Sequence, residues 1–269
     1  MPILTLNELQ ERSAIFRGRA GRFLGSLLMN WLNVDRVNGL YDRHSNLQGP
    51  DFASAVLEDI GLKYEVEHRD RLEALPDGPF VVIANHPYGS LDGVMLVDIF
   101  GHKRKDFKLM VNGFLSRIEA MDCSFIKVTP TGDRRTAPTK ESLQGVREAI
   151  EYVRRGHPLG IFPSGAVSDL SIRDRCVRDR EWQDSAIRLI KKLRVPVVPV
   201  HFLDGNSAFY YSLGLLDWRI RLLRLPSEVF NKKSRCERIV VGPVISVARQ
   251  DDFPSLEGFR DFLRTAVYS

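Results

Sequence analysis

The run Val81-Val82-Ile83-Ala84, followed at once by Asn85-His86-Pro87-Tyr88-Gly89-Ser90-Leu91-Asp92-Gly93, constrains this chain more than any other stretch. Four apolar, mostly β-branched residues cut off by Asn-His-Pro make a buried strand that stops at a polar loop. His86 therefore stands at a strand's carboxyl end. Pro87, Gly89 and Gly93 permit a tight turn there, and Asp92 opens an apolar helical pattern that runs through Val94, Met95, Val97 and Ile99. Asp is among the better helix caps, so a structural histidine beside a capping aspartate is one reading of this spacing. The other is a general base. The carboxylate reaches back to the imidazole, fixes its tautomer and stabilises the imidazolium that forms when the second ring nitrogen takes a proton.

With 269 residues, 43% hydrophobic and 27% charged, the chain can build one α/β domain with a sizeable core. Lys and Arg number 39 against 34 Asp and Glu, a net charge of +5 that favours anionic partners: lipid headgroups, coenzyme A, an acidic carrier protein or nucleic acid. Nucleic acid is not expected, because no strand interleaves aromatic and basic residues and no helix-turn-helix stands out. The three cysteines are odd in number and none is in Cys-x-x-Cys spacing, which predicts neither a disulfide framework nor a zinc site and suits a reducing cytosol. His102, His157 and His201 are scattered, so no metal site is expected. No stretch of about 18 apolar residues predicts a membrane-spanning helix, and the first residues have no basic segment followed by an apolar one, so no secretory leader is expected.

Residues 6–32 have a helical period, with Arg12, Arg17, Arg19 and Arg22 on a basic side and Phe16, Phe23, Leu24, Leu27, Leu28, Trp31 and Leu32 as the apolar set. Such a helix either lies on a membrane surface or packs on the core. Residues 1–70 are read as an N-terminal helical region and 71–269 as the α/β domain. Strands are expected over 63–68, 81–84, 107–112, 123–128, 195–202 and 239–244, with helices over 52–60, 115–121, 142–154, 181–193, 208–225 and 255–267. The prolines of the 195–202 strand suggest an edge or a strand entry. The polar stretch 129–139 reads as an exposed loop. This alternation predicts a mixed, mostly parallel central sheet flanked by helices. The apolar run before Phe162-Pro163-Ser164-Gly165 ends as abruptly as the one before His86. Loops at the carboxyl ends of neighbouring parallel strands meet at one crevice, so both turns are expected to face one ligand.

Asn85-His86-Pro87, with Asp92 at the sixth position after the histidine, resembles the His-x4-Asp signature of the glycerolipid acyltransferase family, which acylates glycerol phosphate and lysophospholipids. Three further stretches look like the family's other blocks, in order: Phe125-Ile126-Lys127, Phe162-Pro163-Ser164-Gly165 and Val195-Pro196-Val197-Val198-Pro199-Val200. There are departures. Val128 stands where the second block usually has Arg, and Ser164, Ala166 and Val167 replace the Glu, Thr and Arg of the third, of which the Glu and Arg help bind the acceptor, which puts a phosphate-bearing acceptor in doubt. Phe-Pro-x-Gly-x-Val-Ser, Asn-His-Pro-x-Gly-x-Leu-Asp-Gly, His201-Phe202 and Asn206-Ser207 look more like a hemolysin-like branch related to enzymes of ornithine lipids.

The resemblance implies transfer of an acyl group from acyl-coenzyme A or acyl carrier protein to a hydroxyl of a lyso-lipid, with no bound cofactor, by a cytoplasmic enzyme peripherally associated with the inner face of the cell membrane. It also implies His86 as base and Asp92 as its orienter. Asn85, Gly89, Ser90, Phe162, Pro163, Ser164 and Gly165 are candidates to contact substrate, and the Gly89-Ser90 turn is a candidate to stabilise the oxyanion. Lys127, Arg134, Arg135 and Lys140 form the candidate basic patch for an acidic headgroup or the donor's phosphates. Phe162, Phe202, Phe209 and Tyr210 either line an acyl-chain channel or pack in the core. No Gly-x-Ser-x-Gly elbow is present and Cys123 falls in an apolar strand, which favours direct transfer without an acyl-enzyme. A non-catalytic lipid-binding relative, or a hydrolase with water as acceptor, are the alternatives.

Overall fold

The computed structural model describes residues 17–31, 33–112, 118–128, 140–233 and 235–269. Three helices, α1 (Gly18–Trp31), α2 (Val34–Arg43) and α3 (Gly49–Asp59), precede strand β1 (Lys63–Glu67) and the short α4 (Arg69–Glu73). There follow β2 (Val81–Ala84), α5 (Leu91–Lys103), β3 (Lys108–Asn112), a 3-10 turn (Glu119–Ser124), β4 (Phe125–Val128), α6 (Lys140–Arg154) and β5 (Leu159–Ile161). A hairpin of β6 (Asp169–Ser171) and β7 (Cys176–Arg178) leads to α7 (Asp184–Leu193) and β8 (Val197–Phe202). The chain closes with α8 (Ala208–Leu216), α9 (Trp218–Leu223), α10 (Leu225–Val229), β9 (Cys236–Val241), α11 (Val247–Asp251) and α12 (Leu256–Tyr268).

Among the described residues, seven strands form one sheet in the order β1-β9-β8-β2-β5-β3-β4. From β8 to β4 all pairings are parallel, and β9 turns antiparallel to β8. The expected mixed, mostly parallel α/β sheet is therefore present, with β2 at its centre. Every residue of β2 is buried, as a strand covered on both faces requires. Val82 and Ala84 face a core that includes Phe52, Leu96, Phe100 and Val200, from α3, α5 and β8. Val81 and Ile83 face the opposite core, with Ala149, Ile187 and Leu263 from α6, α7 and α12.

Several boundaries and one placement differ from expectation. The strand with the two prolines Pro196 and Pro199 is interior, between β2 and β9, and not at an edge. Pro199 is tolerated because the β8–β9 ladder is open there: its carbonyl accepts from Gly242 N at 2.8 Å, between the Val200↔Val241 pair and the isolated Val197↔Ile245 bridge. The single helix expected over 208–225 is broken at Asp217 into α8 and α9. The hairpin β6–β7 was not anticipated. The expected helix over 115–121 falls partly, and the loop over 129–139 wholly, outside the described residues; Glu119–Ser124 is a 3-10 turn.

Candidate active site

β2 ends at Ala84, and Asn85 clips it to its neighbour: its side chain donates to Phe202 O (2.9 Å) and accepts from Phe202 N (2.8 Å). Asn85 is thus spent inside the protein, holding the ends of β2 and β8 together. The turn that follows closes on Asp92, in the first turn of α5. Asp92 Oδ2 accepts from Tyr88 N (3.0 Å) and Gly89 N (3.2 Å), and Oδ1 from Gly93 N (2.9 Å). Fully buried, the carboxylate is balanced by these amides and by the positive end of the helix. Five residues separate it from His86, one more than the family signature has, and Gly89 closes the longer loop in the left-handed region at φ +78. A side chain at Gly89 would meet Val167 Cγ2 at 2.7 Å and Leu225 Cδ2 at 3.0 Å.

His86 Nδ1 lies 2.8 Å from Asp92 Oδ2, with the ring N–H angled off the line to the oxygen, so the pair is in ionic contact without an ideally aligned hydrogen bond. The imidazole stacks on Phe162, the residue that ends β5's run, with ring centres 4.1 Å apart. Nε2 has no protein partner among the described residues, and 13% of the side chain is exposed. The two turns expected to share one crevice do meet, because β5 is the neighbour of β2.

One carboxylate in this arrangement escaped sequence reasoning. Asp179, just after β7, accepts from His86 N (3.0 Å), Ser168 Oγ (2.6 Å) and Trp182 Nε1 (3.0 Å) and is almost wholly buried. Ser168 N in turn donates to His86 O at 2.9 Å. The signal is absent from the sequence because Asp179 lies 93 residues from His86 and no local pattern marks it. Burial pushes the Asp179 carboxyl up, against the hydrogen bonds that stabilise its charge. For His86, burial opposes protonation, while the charges of Asp92 and Asp179 favour it; the carboxylates prevail, and its pKa lies above the ordinary histidine value.

A polar layer holds the loop from below. Tyr88 Oη donates to the buried Glu237 Oε2 (2.6 Å), and the buried Lys232 Nζ lies 5.1 Å from the Tyr88 ring centre. Asn206 donates to Tyr88 O (3.0 Å) and Tyr211 Oη to Pro87 O (2.7 Å).

The other sequence candidates separate into groups. Ser90 is the helix cap by position, but its hydroxyl caps nothing. The Gly89 amide is committed to Asp92, as is that of Tyr88, so neither faces an oxyanion. Pro163 and Gly165 shape the turn beside Phe162: Gln183 N donates to Pro163 O (2.9 Å), and Gly165 is left-handed at φ +61. Ser164 is buried and donates to Ala166 O within that turn (2.8 Å). Lys127 sits on the edge strand β4, paired with Asp122 at 3.2 Å, and three strand spacings, about 14 Å, separate β4 from β2, so it is not brought to His86. Arg134 and Arg135 lie outside the described residues, and Lys140 begins α6. Phe202 and Tyr210 are core residues, whereas Phe209 is 55% exposed. A surface cleft of about 460 Å³, lined by Tyr64, Arg69, Asp98 and His102, lies toward the far end of α5 and shares no residue with the His86 loop. Among the described residues, no three His, Cys, Asp or Glu side chains gather as a metal site.

Two relatives, the lyso-glycine lipid O-acyltransferases of Bacteroides thetaiotaomicron and Phocaeicola vulgatus, are each 26% identical over 255 residues, spanning 92% of this chain and 89% and 87% of their own lengths. The crystal structure of the 1-acyl-sn-glycerophosphate (LPA) acyltransferase PlsC from Thermotoga maritima aligns with 91% of this chain and 94% of its own, at 14% identity and a TM-score of 0.49. Residues 14–269 match a family described as Acyltransferase, and with nearly its whole length matched, the chain belongs to that family.

Proposed function

We propose that this protein moves a fatty acyl group from an acyl thioester to a hydroxyl of a lyso-lipid, with His86 as general base and Asp92 as the group that orients it. The observation that carries this reading is the buried Asp92 in contact with one nitrogen of an imidazole whose other nitrogen has no protein partner among the described residues. In the reaction, Nε2 takes the hydroxyl proton as that oxygen attacks the thioester carbonyl carbon. The tetrahedral intermediate then expels the thiolate, which receives the proton from the imidazolium, giving an ester and a free thiol. Asp92 offsets the charge on the ring between the two steps. With the Tyr88 and Gly89 amides committed, Ser90 is the member of its turn left to steady the oxyanion.

Lyso-lipids of the amino-acid-headed kind fit the acceptor best. The relatives' activity is on lyso-glycine lipid, and the turn after Phe162 offers a buried, internally bonded Ser164 in place of the charged residues that a phosphate would need. The donor is acyl-coenzyme A or acyl carrier protein, and the site of action is the inner face of the cell membrane, with the basic, apolar α1 as one contact. Among the described residues no helix is long and apolar enough to cross a membrane.

Thiol release with each donor, combined with mass spectrometry of the product, tests this across lyso-glycine lipid, lyso-ornithine lipid and lysophosphatidic acid for wild type and His86→Ala. The expected result is one acylated lyso-aminolipid that the variant makes roughly 10²–10⁴ times more slowly. Equal rates in both proteins, or vesicle binding by both without product, would replace the enzyme with a lipid-binding relative.

A further inference from the structure

The segment between β8 and β9 has its polarity reversed. α8 contains no charged residue; it buries Tyr210 and Tyr211 and leaves Phe209, Leu215 and Leu216 at 55%, 51% and 80% exposure. α9 does the opposite of a soluble helix: Arg221 is buried, and Trp218, Ile220 and Leu223 are exposed. Arg221 is not stranded inside. It donates to Ser168 O (3.0 Å) and Val167 O (3.4 Å) and pairs with Asp169. α8 packs against the β6–β7 hairpin, whose tip shows Ile172 at 71% exposure, followed by the solvent-facing Arg173 and Arg175.

We propose that α8, α9 and the tip of the β6–β7 hairpin dock on the surface of a bilayer that contains anionic lipid. A soluble protein rarely exposes so many large apolar side chains on consecutive elements without something to cover them. Trp, Ile and Leu outside with arginines at the rim is the composition of an interfacial contact, where apolar burial and attraction to anionic headgroups act together. The place fits the chemistry of a membrane-borne acceptor. Ser168, held by Arg221, donates its amide to His86 O; Tyr211 holds Pro87 O; and the Leu225 side chain lies against Gly89. The reversed face therefore adjoins the catalytic loop, and a lyso-lipid leaving the bilayer there enters beside His86. The identity of the acceptor rests on the function proposed above; the docking itself does not.

The test uses full-length protein and vesicles of phosphatidylcholine with and without phosphatidylglycerol. Leu216→Asp/Leu223→Asp changes two exposed side chains, so the melting temperature is expected to hold. Binding to the anionic vesicles is expected to fall at least about tenfold, while transfer to a short-chain lyso-lipid dispersed as monomer persists. In a Trp31→Phe background, with Trp182 buried in the core, Trp218 emission should shift to the blue on adding vesicles, and less so at high salt. Unchanged vesicle binding by the double variant, or a Trp218 signal indifferent to vesicles, overturns the proposal. So does self-association that only the double variant abolishes, which would give this face to a second copy. Leucine-dependent vesicle binding without acyl transfer to any lyso-lipid would uphold the docking surface and sink the reaction proposed for His86.

Discussion

In the His86 loop the buried charge is Asp92, in contact with three backbone amides and an imidazole, all supplied within eight residues of chain. In the α8–α9 segment beside it the buried charge is Arg221, held by carbonyls of Val167 and Ser168 and by Asp169, more than fifty residues away. Both charges are balanced, as burial demands, but they do different things. In the proposed reaction Asp92 poises a histidine as a base. Arg221 ties a helix down by an inward cation and so leaves exposed apolar side chains of that helix, Trp218, Ile220 and Leu223, facing out. A buried charge can serve chemistry or can fix the orientation of a surface, and its partners tell the two apart.

The difference is open to attack by substitution. Asp92→Asn removes the charge that offsets the imidazolium and presents an amide nitrogen to groups that need an acceptor; the acyl-transfer rate should drop by roughly 10²–10⁴, read as thiol release, and a variant within a few-fold of wild type would undo the first half of the comparison. Arg221→Met keeps apolar bulk but leaves the Val167 and Ser168 carbonyls and Asp169 short of a donor. A loss of about 2–3 kcal/mol in chemical denaturation is expected, and full stability would show that the inward cation does not anchor α9. Gly89→Ala forces a left-handed residue with a methyl group into Val167 and Leu225, where the two regions touch; destabilisation of about 1–2 kcal/mol should appear, with activity falling as the amides leave Asp92. The mildest change is Asp179→Asn, which withdraws one of the two charges that raise the His86 pKa. The acid limb of its pH–rate profile should move to lower pH, and a limb that stays in place would assign Asp179 a purely structural part.

The legible parts of the molecule were those whose cause is local. The end of β2, the closing of the turn at Gly89 and the contact of Asp92 with His86 all follow from thirteen consecutive residues, and the meeting of the His86 and Phe162 turns follows from parallel-sheet geometry. What failed needed distant partners. The interior position of β8 depends on an opening in its ladder opposite Gly242, which the prolines alone could not reveal. Asp179 directly follows a hairpin that no alternation marks. The commitment of Asn85 to Phe202 and of the Gly89 amide to Asp92 took two expected substrate contacts out of reach of any ligand. Reading 208–225 as one helix hid the fact that Arg221 points in and Leu216 out.

The central claim is that His86 acts as the base, and its ionisation separates stability from catalysis in sign. Its folded pKa is raised above the unfolded value of about 6.5, so the stabilisation from the protonated His86–Asp92 pair is complete below that value and is lost as pH rises through the folded pKa. Catalysis needs the neutral ring and must gain over the same interval. The most direct measurement is therefore the pH dependence of kcat/KM for acyl transfer beside an NMR titration of the His86 imidazole, assigned with His86→Ala. One shared ionisation, displaced above the ordinary histidine value and with the rate rising as the ring loses its proton, is the predicted result. A rate that is flat across the titration of His86 would contradict it.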